Sequence, residues 1–174
     1  PVAAAIRRLR FREAALAGTF VLYEPASRRL RGCNLERAID GYLPASTFKI
    51  PNALIGLETG AVRDEHEAVA WDGVERRVAS WNRDHDLASA MRDSAVWYYQ
   101  AMARRIGEPR MRHWIGVLDY GNGDIGGRLD AFWLDGRLRI SALQQLAFLT
   151  RLRDGSLPMS IGLATFVISV VVLL

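Results

Sequence analysis

The sequence predicts an α+β domain, with a helical body beside an antiparallel sheet. Three observations carry this. GTFVLYE, residues 18–24, alternates and is rich in strand-forming side chains, and RRLRGC, residues 28–33, returns after the turn-forming Pro-Ala-Ser. Downstream of Lys49 the apolar spacing becomes helical, over 52–59, 85–92, 94–106, 108–117 and 141–153. Gly60, Gly107 and Gly155 stand where helices would stop.

Each element has its own justification. Residues 5–16 carry an Arg-rich pattern compatible with a helix. The hairpin 18–33 has a loop longer than two residues, and a lone hairpin is marginal in water, so it should belong to a larger sheet. Phe48, Ile50, Leu54, Ile55 and Leu57 place apolar side chains on several faces, which predicts a helix buried inside the protein. Pro51 fits such a helix only in its first turn. YGNGDIGG, residues 120–127, is a Gly-rich loop; without a GK[ST] ending and a preceding strand it is no phosphate loop. IGLATFVISVVVLL, residues 161–174, is apolar and β-branched, and its fourteen residues fall short of the roughly 18 a membrane span needs. A buried strand or core helix is expected there and membrane attachment is not; an altered reading frame is the main alternative.

Composition narrows the function classes. At 174 residues, half hydrophobic and 24% charged, the chain is sized for one domain with its own core. The net charge is +4 and the pI about 9.7. The arginines are interleaved with acids, as in RRVASWNRDHD, so no nucleic-acid partner is expected. A single cysteine, Cys33, excludes an internal disulfide and a cysteine metal cage. His66, His85 and His113 lack metal-ligand spacing and read as surface residues; Asp84, Asp86 and Asp93 lie among arginines and read as solvated. No metal is expected. The chain starts at Pro1 without a signal-peptide apolar region.

Chemistry enters at PASTFKIPN. Of 23 basic residues, Lys49 is the only lysine, and it stands three residues after Ser46. On a helix that spacing puts both on one side. A serine hydroxyl is a poor nucleophile and needs a base within hydrogen-bond reach. A lysine amine serves once burial has lowered its pKa, whereas arginine cannot be deprotonated. Lys49 is therefore the one basic position where arginine would fail. The helix start would add backbone N–H groups for an oxyanion. The plainer alternative for Ser46 is a helix N-cap.

Further motifs follow in order: Ser94-Ala95-Val96, then Tyr120-Gly121-Asn122, then Phe132-Trp133-Leu134-Asp135-Gly136, then Leu138-Arg139-Ile140-Ser141. S-x-x-K belongs to penicillin-binding proteins and serine β-lactamases. With PASTFKIPNALIGLETG, the ordered set resembles the class D β-lactamases, the oxacillinases, over about residues 18–160. The resemblance implies a serine β-lactamase/penicillin-binding-protein fold and a β-lactam substrate. It implies that Ser46 forms the acyl-enzyme. It implies that Lys49, N-carboxylated by carbon dioxide or bicarbonate, is the general base, and that the Trp133 indole holds the carbamate. Ser94 would relay a proton to the leaving nitrogen. Phe48, Val96 and Leu134 would belong to the pocket, and Tyr120, Gly121 and Asn122 to its rim. Taken singly, Trp133 reads as core, Ser94 as a helix cap and Tyr-Gly-Asn as a turn. The resemblance also implies periplasmic localisation.

The likeness breaks in one place. The family carries Lys-Thr-Gly on a later strand, and with Lys49 the sole lysine no such motif occurs in residues 1–174. The expectation is a partial domain over 1–160, lacking its C-terminal sheet strands, followed by a non-matching tail over 161–174. Weak or absent hydrolysis follows, with a penicillin-binding sensor that stays acylated, or an inactive fragment, as the alternatives.

Overall fold

The computed structural model describes residues 17–160. The helix expected at 5–16 and the apolar segment 161–174 lie outside the described residues. Strands β1 (Phe20–Glu24) and β2 (Arg29–Cys33) form the expected antiparallel hairpin, with Phe20 opposite Cys33 and Glu24 opposite Arg29. Every residue of β1 is half-buried, and Cys33 is a half-buried free thiol.

The helical body contains α1 (Lys49–Glu58), α2 (Leu87–Arg92), α3 (Val96–Ile106), α4 (Glu108–Val117) and α5 (Ala142–Arg153). Gly60, Gly107 and Gly155 follow α1, α3 and α5 with positive φ, as the sequence predicted. Helix α1 runs through the interior: Pro51, Asn52, Ala53, Leu54, Ile55 and Gly56 are all buried. It crosses α3 at Gly56, where a Cβ would strike Met102 Sδ, so a larger residue would force that side chain to shift. Pro51 occupies the first turn of α1, where its missing donor costs nothing. Helix α5 packs beside β1 and buries Phe148 and Leu152.

Three helix starts differ from expectation, each for a local reason. The region before Lys49 is a tight 3-10 turn, Ala45–Phe48, that leads into α1. Helix α2 begins at Leu87 because Asp86 caps it, accepting from the Ser89 N–H at 2.8 Å in a reciprocal capping box. Helix α3 begins at Val96 because Ser94 is left-handed, with φ 54°, and Ala95 is extended. Ser141 caps α5 through a second capping box with Gln144.

Two surface readings are corrected. His85 is 1% exposed; its ring nitrogens lie 3.1 Å from Ser89 Oγ and 3.0 Å from the Ser80 carbonyl. A ring with polar partners at both nitrogens can be buried without leaving either unsatisfied. His66 and His113 are exposed. Nor are the three aspartates merely solvated. Asp84 accepts from the Trp71 N–H at 2.8 Å, Asp86 is the α2 cap, and Asp93 pairs with Arg83 and Arg92.

Candidate active site

Ser46 lies in the 3-10 turn and is exposed, while Lys49 at the start of α1 is 2% exposed. The turn gives both their orientation. Ala45 has φ 47°, unusual for a residue with a Cβ, and its N–H donates to the Trp133 carbonyl at 3.0 Å. Thr47 closes the turn through its N–H and its hydroxyl, both donating to the Pro44 carbonyl, at 3.0 and 2.7 Å. The result places Lys49 Nζ 2.9 Å from Ser46 Oγ. Desolvation lowers the Lys49 amine from its usual 10.5 to about 8. At pH 7 roughly a tenth of such amines are neutral, and a neutral amine can accept the serine proton. Among the described residues no carboxylate forms an ion pair with Lys49.

Ser94 comes from the other side. Its left-handed backbone puts Oγ 3.4 Å from Ser46 Oγ instead of over the α3 terminus. The helix-cap alternative for Ser94 is therefore overturned: Ala95 holds that position without a side-chain bond. Three groups of the S-x-x-K and Ser-Ala-Val motifs thus converge, although 48 residues separate the two serines.

Beneath them lies an aromatic cluster. Phe48 is fully buried, stacked on Trp133 at 5.1 Å and edge-on to Phe132 at 5.0 Å and Tyr120 at 5.7 Å. Phe48 and Tyr120 are both buried in this cluster beneath the turn. The Tyr120 hydroxyl donates to Gln145 Oε1 at 2.9 Å, and burial pushes its phenol pKa up. Val96 and Leu134 are half-buried. Trp133 is 1% exposed. The indoles of Trp71, Trp81 and Trp97 each donate to a carbonyl, whereas the Trp133 indole meets no acceptor among the described residues.

Gly121 and Asn122 act as a strap. Asn122 accepts through Oδ1 from the Arg139 N–H at 2.9 Å, and its own N–H donates to the Arg139 carbonyl at 2.9 Å. Gly121 has φ 62°, and a Cβ there would collide with that carbonyl. The strapped segment continues into Ile140, which bridges Tyr42 by two hydrogen bonds of 3.0 and 2.9 Å. Tyr42 stands four residues before Ser46. Sequence reasoning missed this bridge, along with Tyr99 on α3, whose ring faces the Lys49 amine, and Asn52 on α1, which donates to the Tyr99 carbonyl. Only the S-x-x-K spacing marked that region; the partners come from elsewhere in the chain.

A serine hydroxyl and a desolvated lysine amine three residues on, at the start of a buried helix, are the S-x-x-K arrangement of penicillin-binding proteins and serine β-lactamases. The family model for the penicillin-binding protein transpeptidase domain matches residues 19–160. The chain is 53% identical over 141 residues to a probable β-lactamase, YbxI, of Bacillus subtilis, covering 81% of this chain and 53% of that protein. It is 49% identical over 150 residues to β-lactamase OXA-48 of Klebsiella pneumoniae, covering 86% and 57%. A class D β-lactamase structure from Bacillus subtilis superposes with a TM-score of 0.88 at 46% identity, covering 95% of this chain and 70% of that one. FUS-1 (OXA-85) of Fusobacterium nucleatum gives 0.90 at 37% identity, covering 96% and 69%. The chain belongs to the class D β-lactamase family. It spans about half the length of the two β-lactamases matched by sequence.

Proposed function

We propose that this chain carries the acylation machinery of a β-lactam hydrolase. The carrying observation is the 2.9 Å contact between Ser46 Oγ and the buried Lys49 Nζ. The neutral amine takes the Ser46 proton as Oγ attacks the lactam carbonyl. As the C–N bond breaks, Ser94 Oγ, adjacent to Ser46 Oγ, gives its proton to the departing ring nitrogen and is reprotonated with the proton held by Lys49. The Ser46 N–H, in the first turn, has no backbone acceptor among the described residues and is available to the oxyanion. The relatives are named as β-lactamases, which supports the substrate class.

Carbon dioxide fits this site as an adduct of Lys49. Only a neutral amine adds it, and burial lowers the Lys49 pKa toward that form. Ser46 and Trp133 are the residues that would hold the added carboxylate, which supplies a general base of lower pKa than an amine. Val96 and Leu134 belong to the apolar surroundings of this pocket. Class D β-lactamases are generally exported, and this supports export of the protein that carries this chain. Among the described residues no helix is long and apolar enough to cross a membrane.

Residues 1–174 contain no Lys-Thr-Gly. In the family the residue after that motif gives the second oxyanion N–H, and loss of one oxyanion donor costs about 2.7–4 kcal/mol in other enzymes. Acylation by a polypeptide of these residues alone should accordingly be slow. A fluorescent penicillin label, with and without bicarbonate, tests the proposal. Turnover that rises with bicarbonate supports the hydrolase. A stable one-to-one adduct means a penicillin sensor. No adduct on Ser46 at any concentration ends the acylation proposal.

A further inference from the structure

Helix α2 stops against the preferences of its own residues. The Ser94 N–H donates to the Met91 carbonyl at 3.2 Å and the Ala95 N–H to the Ala90 carbonyl at 2.9 Å. This pair of bonds marks a helix end in which the residue after the cap is left-handed, a place that normally falls to glycine. Here it falls to Ser94, with φ 54°. A serine stays there only when its neighbours over-determine it. The cap is Asp93, an acid at the carbonyl end of a helix, where the helix dipole disfavours negative charge.

Residues 81–83 supply what α2 lacks. The Arg83 guanidinium donates to Asp93 Oδ2 at 2.8 Å, and Arg92 Nε donates to Oδ1 at 3.3 Å. The Trp81 indole donates to the Asp93 carbonyl at 2.8 Å. Asp93 is thus gripped at its carboxylate and at its backbone, and its side chain is 14% exposed. The hydrogen bond from Arg83 is the main cause that holds the carboxyl below the usual carboxylate range. The gripping segment has anchors of its own. The Trp97 indole on α3 donates to the Trp81 carbonyl at 2.8 Å, and a ring nitrogen of buried His85 lies 3.0 Å from the Ser80 carbonyl.

We propose that Asp93 is a positioning residue for Ser94: Arg83 and Trp81, by gripping Asp93, hold the left-handed turn that brings Ser94 Oγ to 3.4 Å from Ser46 Oγ. An ion pair near the surface contributes little to stability by itself. This one acts through geometry. Releasing Asp93 lets Ser94 relax out of the left-handed region, which swings its hydroxyl away from the nucleophile. The consequence for acylation rests on the proposed use of Ser94 as proton donor.

The test takes a polypeptide of residues 1–174 and two readouts. The first is amide hydrogen exchange at Ala95, which reports the helix stop, against Leu54, which reports the interior of α1. Asp93→Ala and Arg83→Ala should each speed exchange at Ala95 at least about tenfold more than at Leu54. In a Ser94→Gly background the left-handed turn is free of strain, so adding Asp93→Ala should speed Ala95 less than about threefold. The second readout is labelling of Ser46 by a fluorescent penicillin. Asp93→Ala should lower the maximal labelling rate about tenfold, with little change in the half-saturating concentration, and should add nothing in the Ser94→Gly background. Wild-type exchange at Ala95 in both single variants overturns the proposal. So does equal acceleration at Ala95 and Leu54, or an effect of Asp93→Ala that persists undiminished in the Ser94→Gly background. Should Asp93→Ala fail to fold, Arg83→Ala decides by the same comparisons. A wild-type chain that never labels removes the acylation reading, and the exchange comparison still decides the positioning.

Discussion

Lys49 is held where a positive charge is costly, and this has a thermodynamic signature. Its amine titrates at about 8 in the folded chain against 10.5 in its ordinary state. Below pH 8 both states hold the proton, and the folded state bears the full cost of burying it. Between pH 8 and 10.5 the unfolded chain binds more protons, so the Lys49 contribution to stability rises with pH, by about 3 kcal/mol in all. Urea unfolding at pH 7.5 and pH 10 should show this rise in the difference between wild type and Lys49→Met; a flat difference refutes it. Lys49→Arg buries a cation that cannot lose its proton. Its penicillin-labelling rate should fall about 10²–10⁴-fold, the usual worth of a general base. Labelling of the arginine variant at the wild-type rate would remove Lys49 from the mechanism.

At the scale of elements, the strap and α5 make opposite kinds of contribution. Gly121 holds a positive φ against the Arg139 carbonyl, and that segment braces Tyr42 ahead of the nucleophile turn. Gly121→Ala should cost about 1–3 kcal/mol in stability and also slow labelling. An unchanged urea midpoint would show that the strap yields freely. Helix α5 buries Phe148 against Tyr120, with ring centroids 5.0 Å apart, and Phe148→Ala should cost about 3–5 kcal/mol. Its other apolar stripe, Leu143, Leu146 and Ala147, opens with Tyr23 onto a groove of about 380 Å³. Leu146→Ala should therefore cost much less than Phe148→Ala, a comparison read from the same urea curves. Apolar spacing predicted α5 but could not rank its two stripes, because spacing says nothing about what stands opposite.

Over the whole molecule, stability should be uneven. The interior is built on α1 and α3, while the hairpin contributes two strands whose residues are at most half-buried. Two-stranded ribbons are marginal by themselves. Amides of residues 20–24 and 29–33 should exchange at least about ten times faster than those of α1 and α3, a gap of about 1.4 kcal/mol in opening free energy. Equal protection would mean that the hairpin opens only with the whole fold.

The sequence by itself determined the hairpin, the five helices and the pairing of Ser46 with Lys49. Those features depend on residues close together along the chain, where spacing, glycine stops and the choice of lysine over arginine are directly readable. The structure alone decided that Ser94 turns its hydroxyl to Ser46 instead of capping α3, and that His85 is buried. It alone decided that the Tyr99 ring faces the Lys49 amine and that Asn122 braces the turn through Arg139 and Tyr42. Each of those is a meeting of distant segments, and its energy depends on which side chains share a dry volume, a quantity that packing creates and that no local pattern encodes.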